Sequence, residues 1–164
     1  MSAAPLPEPS DWIRGITIRQ PWATCILAGK DVENRPKPWS WRGWLLLHAG
    51  LRTEHAPLRD PLVATAIRGH RLEVGAVIGV ARLTDCHQDP DGTELCSPWA
   101  QHGAHHLVLA DVRELALPIP IKAGALGPWK PTTELVDQVR LQLPHLHAPK
   151  GFPIMMSSPE DDAS

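Results

Sequence analysis

Lys30, Glu33 and Arg35 lie in one short run, Gly29-Lys30-Asp31-Val32-Glu33-Asn34-Arg35. An ammonium beside a carboxylate can serve as a general acid and base, and the same pair can hold a polar ligand. A carboxylate accepts hydrogen bonds from the amino group of a base, while ammonium and guanidinium groups attract phosphate. Arg19, Lys37 and Arg42 add cations nearby, and Trp22, Trp39, Trp41 and Trp129 offer ring faces. Base stacking on an aromatic ring contributes about 1 to 3 kcal/mol per base, so two such rings already matter. The candidate ligand-binding set is therefore Arg19, Trp22, Lys30, Glu33, Arg35, Trp39, Trp41, Arg42 and Trp129, with Lys30 and Glu33 as the catalytic pair if the protein is an enzyme. Trp22 and Trp44 also suit core positions, because tryptophan is mostly buried. Trp39 and Trp41 sit among Pro, Lys and Arg and are the stronger stacking candidates.

The elements that must position these groups are legible from periodicity and punctuation. Ile16 to Arg19 alternates as a half-buried strand does, and Pro21, which has no N–H, ends the ladder. Pro21 then opens a helix over Trp22 to Ala28, and Gly29 supplies its left-handed stop. An extended segment follows in which Glu33 and Arg35, two apart, share a face, whereas Lys30 has the opposite parity. Pro36 to Gly43 reads as a loop, Trp44 to Ala49 as a buried strand, and Pro61 to His70 as a helix with Leu62, Val63, Ala66 and Ile67 on one stripe. Gly75 to Thr84 and His105 to Leu115 read as strands separated by a polar loop, with Pro98 to Gln101 as a turn of helix. Pro118 and Pro120 place their segment at an edge or an exit. Pro131 opens a last helix whose stripe is Leu135, Val136, Val139 and Leu143. Residues 1–11 are expected to be a disordered arm, 12–143 the domain and 144–164 a flexible tail.

The run Thr17-Ile18-Arg19-Gln20-Pro21-Trp22-Ala23, then Gly29-Lys30-x-x-Glu33-Asn34-Arg35, then Arg42-Gly43 before an apolar strand, resembles the ASCH domain family. Gly75 to Val80, Trp99-Ala100, His106 to Leu109 and Gly124 to Trp129 follow in the same order, so the resemblance covers roughly residues 13 to 131. It implies an α+β fold, a small PUA-like β-barrel with flanking helices, and binding of RNA, another single-stranded nucleic acid or a nucleoside in the cleft. Some proteins of this family deacetylate 4-acetylcytidine with a lysine at the position of Lys30 and a threonine three residues later as the nucleophile. Glu33 occupies that threonine position here, and a carboxylate cannot stand in for the hydroxyl that forms an ester intermediate. A hydrolase or ribonuclease working through Lys30 and Glu33 is the alternative to a binding module.

Composition sets the outer limits. At 164 residues, with 43% apolar and 21% charged side chains, the chain suits one globular domain. No stretch of eighteen apolar residues and no secretory-type start is present, so a soluble, cytoplasmic protein without membrane contact is expected. The net charge of −2 argues against a basic coat for duplex binding. Between Trp12 and Arg42, however, six cations face two anions, so positive charge gathers in the first quarter. Cys25, Cys86 and Cys96 are odd in number and read as free thiols. Cys86, His87, Cys96, His102, His105 and His106 lack the C-x-x-C step of structural zinc sites, so no metal and no cofactor is assigned.

Overall fold

Five strands form one mixed sheet in the order β1-β3-β4-β5-β2, described here from a computed structural model over residues 9–152. In chain order the elements are β1 (Ile13–Gln20), α1 (Trp22–Leu27), β2 (Val32–Arg35), β3 (Gly43–Thr53), a 3-10 turn (Ala56–Arg59), α2 (Pro61–Ala66), β4 (Ala76–His87), β5 (His105–Pro120) and α3 (Thr133–Gln142). β1 runs parallel to β3, and the β3–β4, β4–β5 and β5–β2 pairs are antiparallel. The protein is thus α+β, as the sequence predicts. The expected small β-barrel does not close: β1 and β2 are the two edges of an open sheet.

The backbone of Trp129 and the side chain of Arg35 occupy the edge of β1 that faces away from β3. Gly15 exchanges both backbone hydrogen bonds with Trp129, at 2.7 and 3.0 Å, and the Thr17 carbonyl accepts from Arg35 Nη2 at 3.1 Å. A guanidinium therefore spans the gap between β1 and β2 that a ladder would fill in a closed barrel. Register shifts in β1, β3 and β4 bend the long strands.

Both faces of the sheet are covered. Ile16, Ile18, Leu45, Leu47, Leu83 and Leu107 pack on one face with Ala23 and Ile26 of α1. Alternation, with the irregularity in β4 between Val77 and Gly79, sends Ile13, Leu46, Val77 and Val80 to the other face, where Leu135, Val136 and Val139 of α3 meet them. Thr132 caps α3 by accepting from the Leu135 N–H at 3.2 Å, and Glu134 and Arg140 sit at the ends that the helix dipole favours.

Three elements differ from the sequence reading. Of the stripe expected on α2, only Val63 is fully buried, and the helix ends at Ala66 after a 3-10 turn instead of running to His70. Pro98 to Gln101 forms a turn and no helix. β5 extends through Pro118 and Pro120, past the four residues that pair with β2. The prolines fit there because only β4 flanks that stretch among the described strands.

Residues 1–8 of the expected arm and 153–164 of the expected tail lie outside the described residues. Within the described part, Ser10 and Trp12 are buried at the start, and Leu146 is buried beyond α3, where its carbonyl accepts from Arg140 Nε at 2.9 Å.

Candidate functional site

The end of α1 decides where Lys30 points. Gly29, at φ 116°, carries the chain out of the helix while its N–H reaches the Ile26 carbonyl at 3.3 Å and the Lys30 N–H reaches Cys25 at 2.8 Å. These two bonds make a Schellman turn, which satisfies carbonyls that the helix end leaves open. Lys30 lies in this turn, ahead of β2, which begins at Val32, so strand parity does not apply to it. Its side chain runs inward, 1% exposed, and Nζ meets Glu33 Oε1 at 2.5 Å. Arg35, on the same face of β2 as Glu33, brings Nη2 to Glu33 Oε2 at 3.2 Å. One buried carboxylate thus receives two cations, one at each oxygen.

Burial alone raises the pKa of Glu33, and the charges of Lys30 and then Arg35 outweigh it, holding the carboxyl below the usual glutamate range. Because the folded-state pKa is depressed, the stabilisation is present above the unfolded-state value and is lost as pH falls through the folded-state value. Unfolding measured against pH should show wild type and Glu33→Gln separated by a constant gap near neutrality. That gap should close only on the acid side of the ordinary glutamate range; a gap unchanged down to the acid limit would contradict the coupling.

The three side chains line the floor of an open cleft of about 690 Å³. Arg19 from β1, Trp22 from α1 and the Gly124–Leu126 loop form its rim and walls. Thr17, His48, Arg52, Glu54, Gln101 and Lys122 also contribute. Glu54 is shared, lying 3.5 Å from Arg19 Nη1 and accepting from Trp22 Nε1 at 3.2 Å. Lys30 Nζ lies 5.7 Å from the centre of the Trp22 ring.

A hydrogen-bond chain backs one wall. His48 Nε2 donates to the Ile121 carbonyl at 2.6 Å, which leaves Nδ1 to accept from the Thr17 hydroxyl at 3.0 Å. Trp129 Nε1 donates to the same Thr17 oxygen at 3.1 Å. Gly124 lies so close that a Cβ there would overlap the Thr17 hydroxyl. A glycine therefore lets the loop close over this chain.

Of the residues singled out from the sequence, Arg19, Trp22, Lys30, Glu33 and Arg35 come together at the cleft, and Trp39, Trp41, Arg42 and Trp129 do not line it. The tryptophans exchange the roles expected of them. Trp22 is half-exposed at the cleft, whereas Trp39 is 8% exposed in the core, beneath Arg35. Trp41 donates to the Trp44 carbonyl at 3.2 Å and carries Arg14 over its ring, and Arg42 donates to the Trp39 and Trp41 carbonyls at 2.8 Å. The loop satisfies itself, so its rings and cation are spent on its own shape. Trp129 pins β1 from behind Thr17.

The N–H groups at the start of α1 are partly taken: buried Gln20 accepts from the Thr24 N–H at 3.0 Å. Sequence reading missed Arg52, near the end of β3, Glu54, just after it, and Lys122, just after β5. Only the tertiary fold brings them in. Neither a protein-family model nor a curated protein matches this chain.

Proposed function

We propose that this chain is an ASCH-type domain, a PUA-like barrel left open between β1 and β2, whose cleft binds a base of RNA or single-stranded nucleic acid, or a nucleoside. The buried Lys30–Glu33–Arg35 group on the floor of a cleft of about 690 Å³ carries this reading. The cleft is concave and of nucleotide dimensions. Arg19, Arg52 and Lys122 at its rim supply charge for phosphate, the half-exposed Trp22 ring supplies a stacking face, and Glu33 supplies an acceptor for a base amino group. Cys25, Cys86 and Cys96 are free thiols, which fits a protein working in a reducing compartment such as the cytoplasm.

Hydrolysis is the second reading, favoured by the closeness of Lys30 and Glu33 in a partly desolvated site. Two cations lower the basicity of Glu33, however, so it is better suited to accept a hydrogen bond than to remove a proton.

The test titrates wild type and Trp22→Ala with short RNA and DNA oligonucleotides and with cytidine and 4-acetylcytidine, over a range of salt, while assaying product release from 4-acetylcytidine and RNA. Saturable binding weakened by about 1 to 3 kcal/mol in Trp22→Ala is the expected result. A steep salt dependence would identify a polymer, and a flat one a nucleoside. Turnover would move the assignment to the hydrolase, and equal affinity in both proteins would remove Trp22 from the site.

A further inference from the structure

Away from the cleft, the end of β4, the loop after it and the start of β5 bring together four side chains with metal-binding atoms. One ligand atom from each of His87, Asp89, Cys96 and His106 falls within 4.8 Å of all the others. Asp89 Oδ1 lies 3.0 Å from His87 Nε2, Asp89 Oδ2 lies 3.3 Å from His106 Nδ1, and Cys96 Sγ lies 3.6 Å from His106 Nδ1. A tetrahedral zinc ion with bonds of about 2.0 to 2.3 Å separates its ligands by about 3.3 to 3.8 Å. The cluster is already close to that size.

The outer nitrogens of the two rings determine what the inner ones offer. His106 Nε2 faces the Gln101 carbonyl at 2.7 Å, and a carbonyl has no proton to give, so Nε2 carries the hydrogen. His87 Nδ1 likewise faces the Asp85 carboxylate at 2.7 Å. In the neutral rings, His106 Nδ1 and His87 Nε2 therefore turn lone pairs toward the Asp89 carboxylate and the Cys96 sulfur. A lone pair facing a carboxylate is matched by a proton on the ring, by another donor or by a cation; the Cys96 thiol can serve only His106 Nδ1, whereas a cation at the centre would meet all four groups. A histidine ligand whose other N–H is held by a carboxylate or a carbonyl is also the usual outer arrangement of a zinc site.

We propose that His87, Asp89, Cys96 and His106 form a four-ligand structural zinc site. A thiolate with two imidazoles selects zinc over magnesium or calcium, which take oxygen ligands, and four protein ligands leave no open position for catalysis. The sequence pattern concealed this set, because Asp89 replaces the missing cysteine or histidine and the ligands follow no C-x-x-C spacing.

The site would fasten the loop between β4 and β5, and that loop supports the cleft. Ser97 Oγ donates to Asp31 Oδ1 at 2.5 Å, and Asn34 of β2 donates to the Trp99 carbonyl and accepts from the Gln101 N–H, each at 2.9 Å. Gln101 both lines the cleft and holds His106. Zinc would thus fix the outer wall beside Glu33 and Arg35.

The experiment titrates the chelator-treated full chain with Co²⁺ and then displaces it with Zn²⁺. One equivalent of Co²⁺ should give the visible bands of a four-coordinate site together with a thiolate-to-cobalt charge-transfer band, and Zn²⁺ should abolish both. Cys96 is exposed, so Cys96→Ser should fold, as checked by circular dichroism, and should lose the charge-transfer band. Asp85→Asn, which alters only the partner of His87, should weaken binding by about 10- to 100-fold while keeping that band. Failure to bind stoichiometrically, or a charge-transfer band that survives in Cys96→Ser, overturns the proposal.

Discussion

Lys30→Ala loses about 3 to 5 kcal/mol of unfolding free energy, because removing one partner of a buried ion pair leaves the other charge in the interior. Arg35 still faces Glu33 Oε2, which puts the loss at the lower end of that range. Replacing both partners at once, as Lys30→Met with Glu33→Leu, recovers most of the stability, since apolar side chains of similar size need no desolvated charges to be matched. Arg35 keeps the Thr17 carbonyl in that double variant and, being 20% exposed, is partly solvated where it stands. On the proposed function ligand binding behaves differently: it should be lost in the single variant with the Lys30 ammonium, and in the double variant with both that ammonium and the Glu33 acceptor.

Denaturant unfolding and ligand titration on the same three proteins separate the two roles. A double variant that is stable and does not bind assigns the pair to recognition. One that binds like wild type would show that the pair only holds the fold together. Unchanged stability in Lys30→Ala would mean that solvent reaches the pair.

The second large effect is expected at the contact between β1 and Trp129. A Cβ on Gly15 would occupy the space of the Trp129 indole, so Gly15→Ala must displace the ring or the strand, with an expected loss of about 1 to 3 kcal/mol. Trp129→Ala removes an aromatic ring that packs on the α3 side of the sheet and donates to Thr17, with an expected loss of about 3 kcal/mol. The two variants act on one contact, so the double variant should lose less than the sum by more than about 0.5 kcal/mol in chemical denaturation. Strict additivity would show that the ring and the glycine are independent. Trp129→Ala should also loosen the Thr17–His48 chain behind the cleft, which links the packing of the sheet to the shape of the site.

Much of the local structure can be read from short stretches of sequence. Pro21 ends β1 where its missing N–H requires, Gly29 takes the left-handed conformation at the end of α1, and the stripe on α3 is the face that is buried. Glu33 and Arg35 meet because strand alternation places them on one face, a rule that needs only two residues of spacing. The contact of Lys30 with Glu33 is less accessible to that rule. It depends on the turn between α1 and β2, where strand alternation does not hold, so parity counted along the sequence separates residues that the fold joins.

The tryptophans show the same limit. Trp39 lies in a Pro- and Lys-flanked loop that looks exposed, yet the loop folds back on the core with its own hydrogen bonds. Trp22 is in an apolar helix that looks buried, yet it borders the cleft and bonds to Glu54, thirty-two residues away.

By itself, then, the sequence determined the α+β class, most of the strands and helices, and the Lys30 to Arg35 segment as the centre of the candidate site. These follow from interactions among residues a few positions apart. Tertiary structure alone decided that β1 and β2 stay at opposite edges of an open sheet, that Trp22 and not Trp39 lines the cleft, and that Glu54 and Lys122 join it. It alone decided that Asp89 stands between His87 and His106. Each of these depends on which strands pair and in what register, and pairing between distant segments is set by the packing of the whole sheet, which no local spacing records.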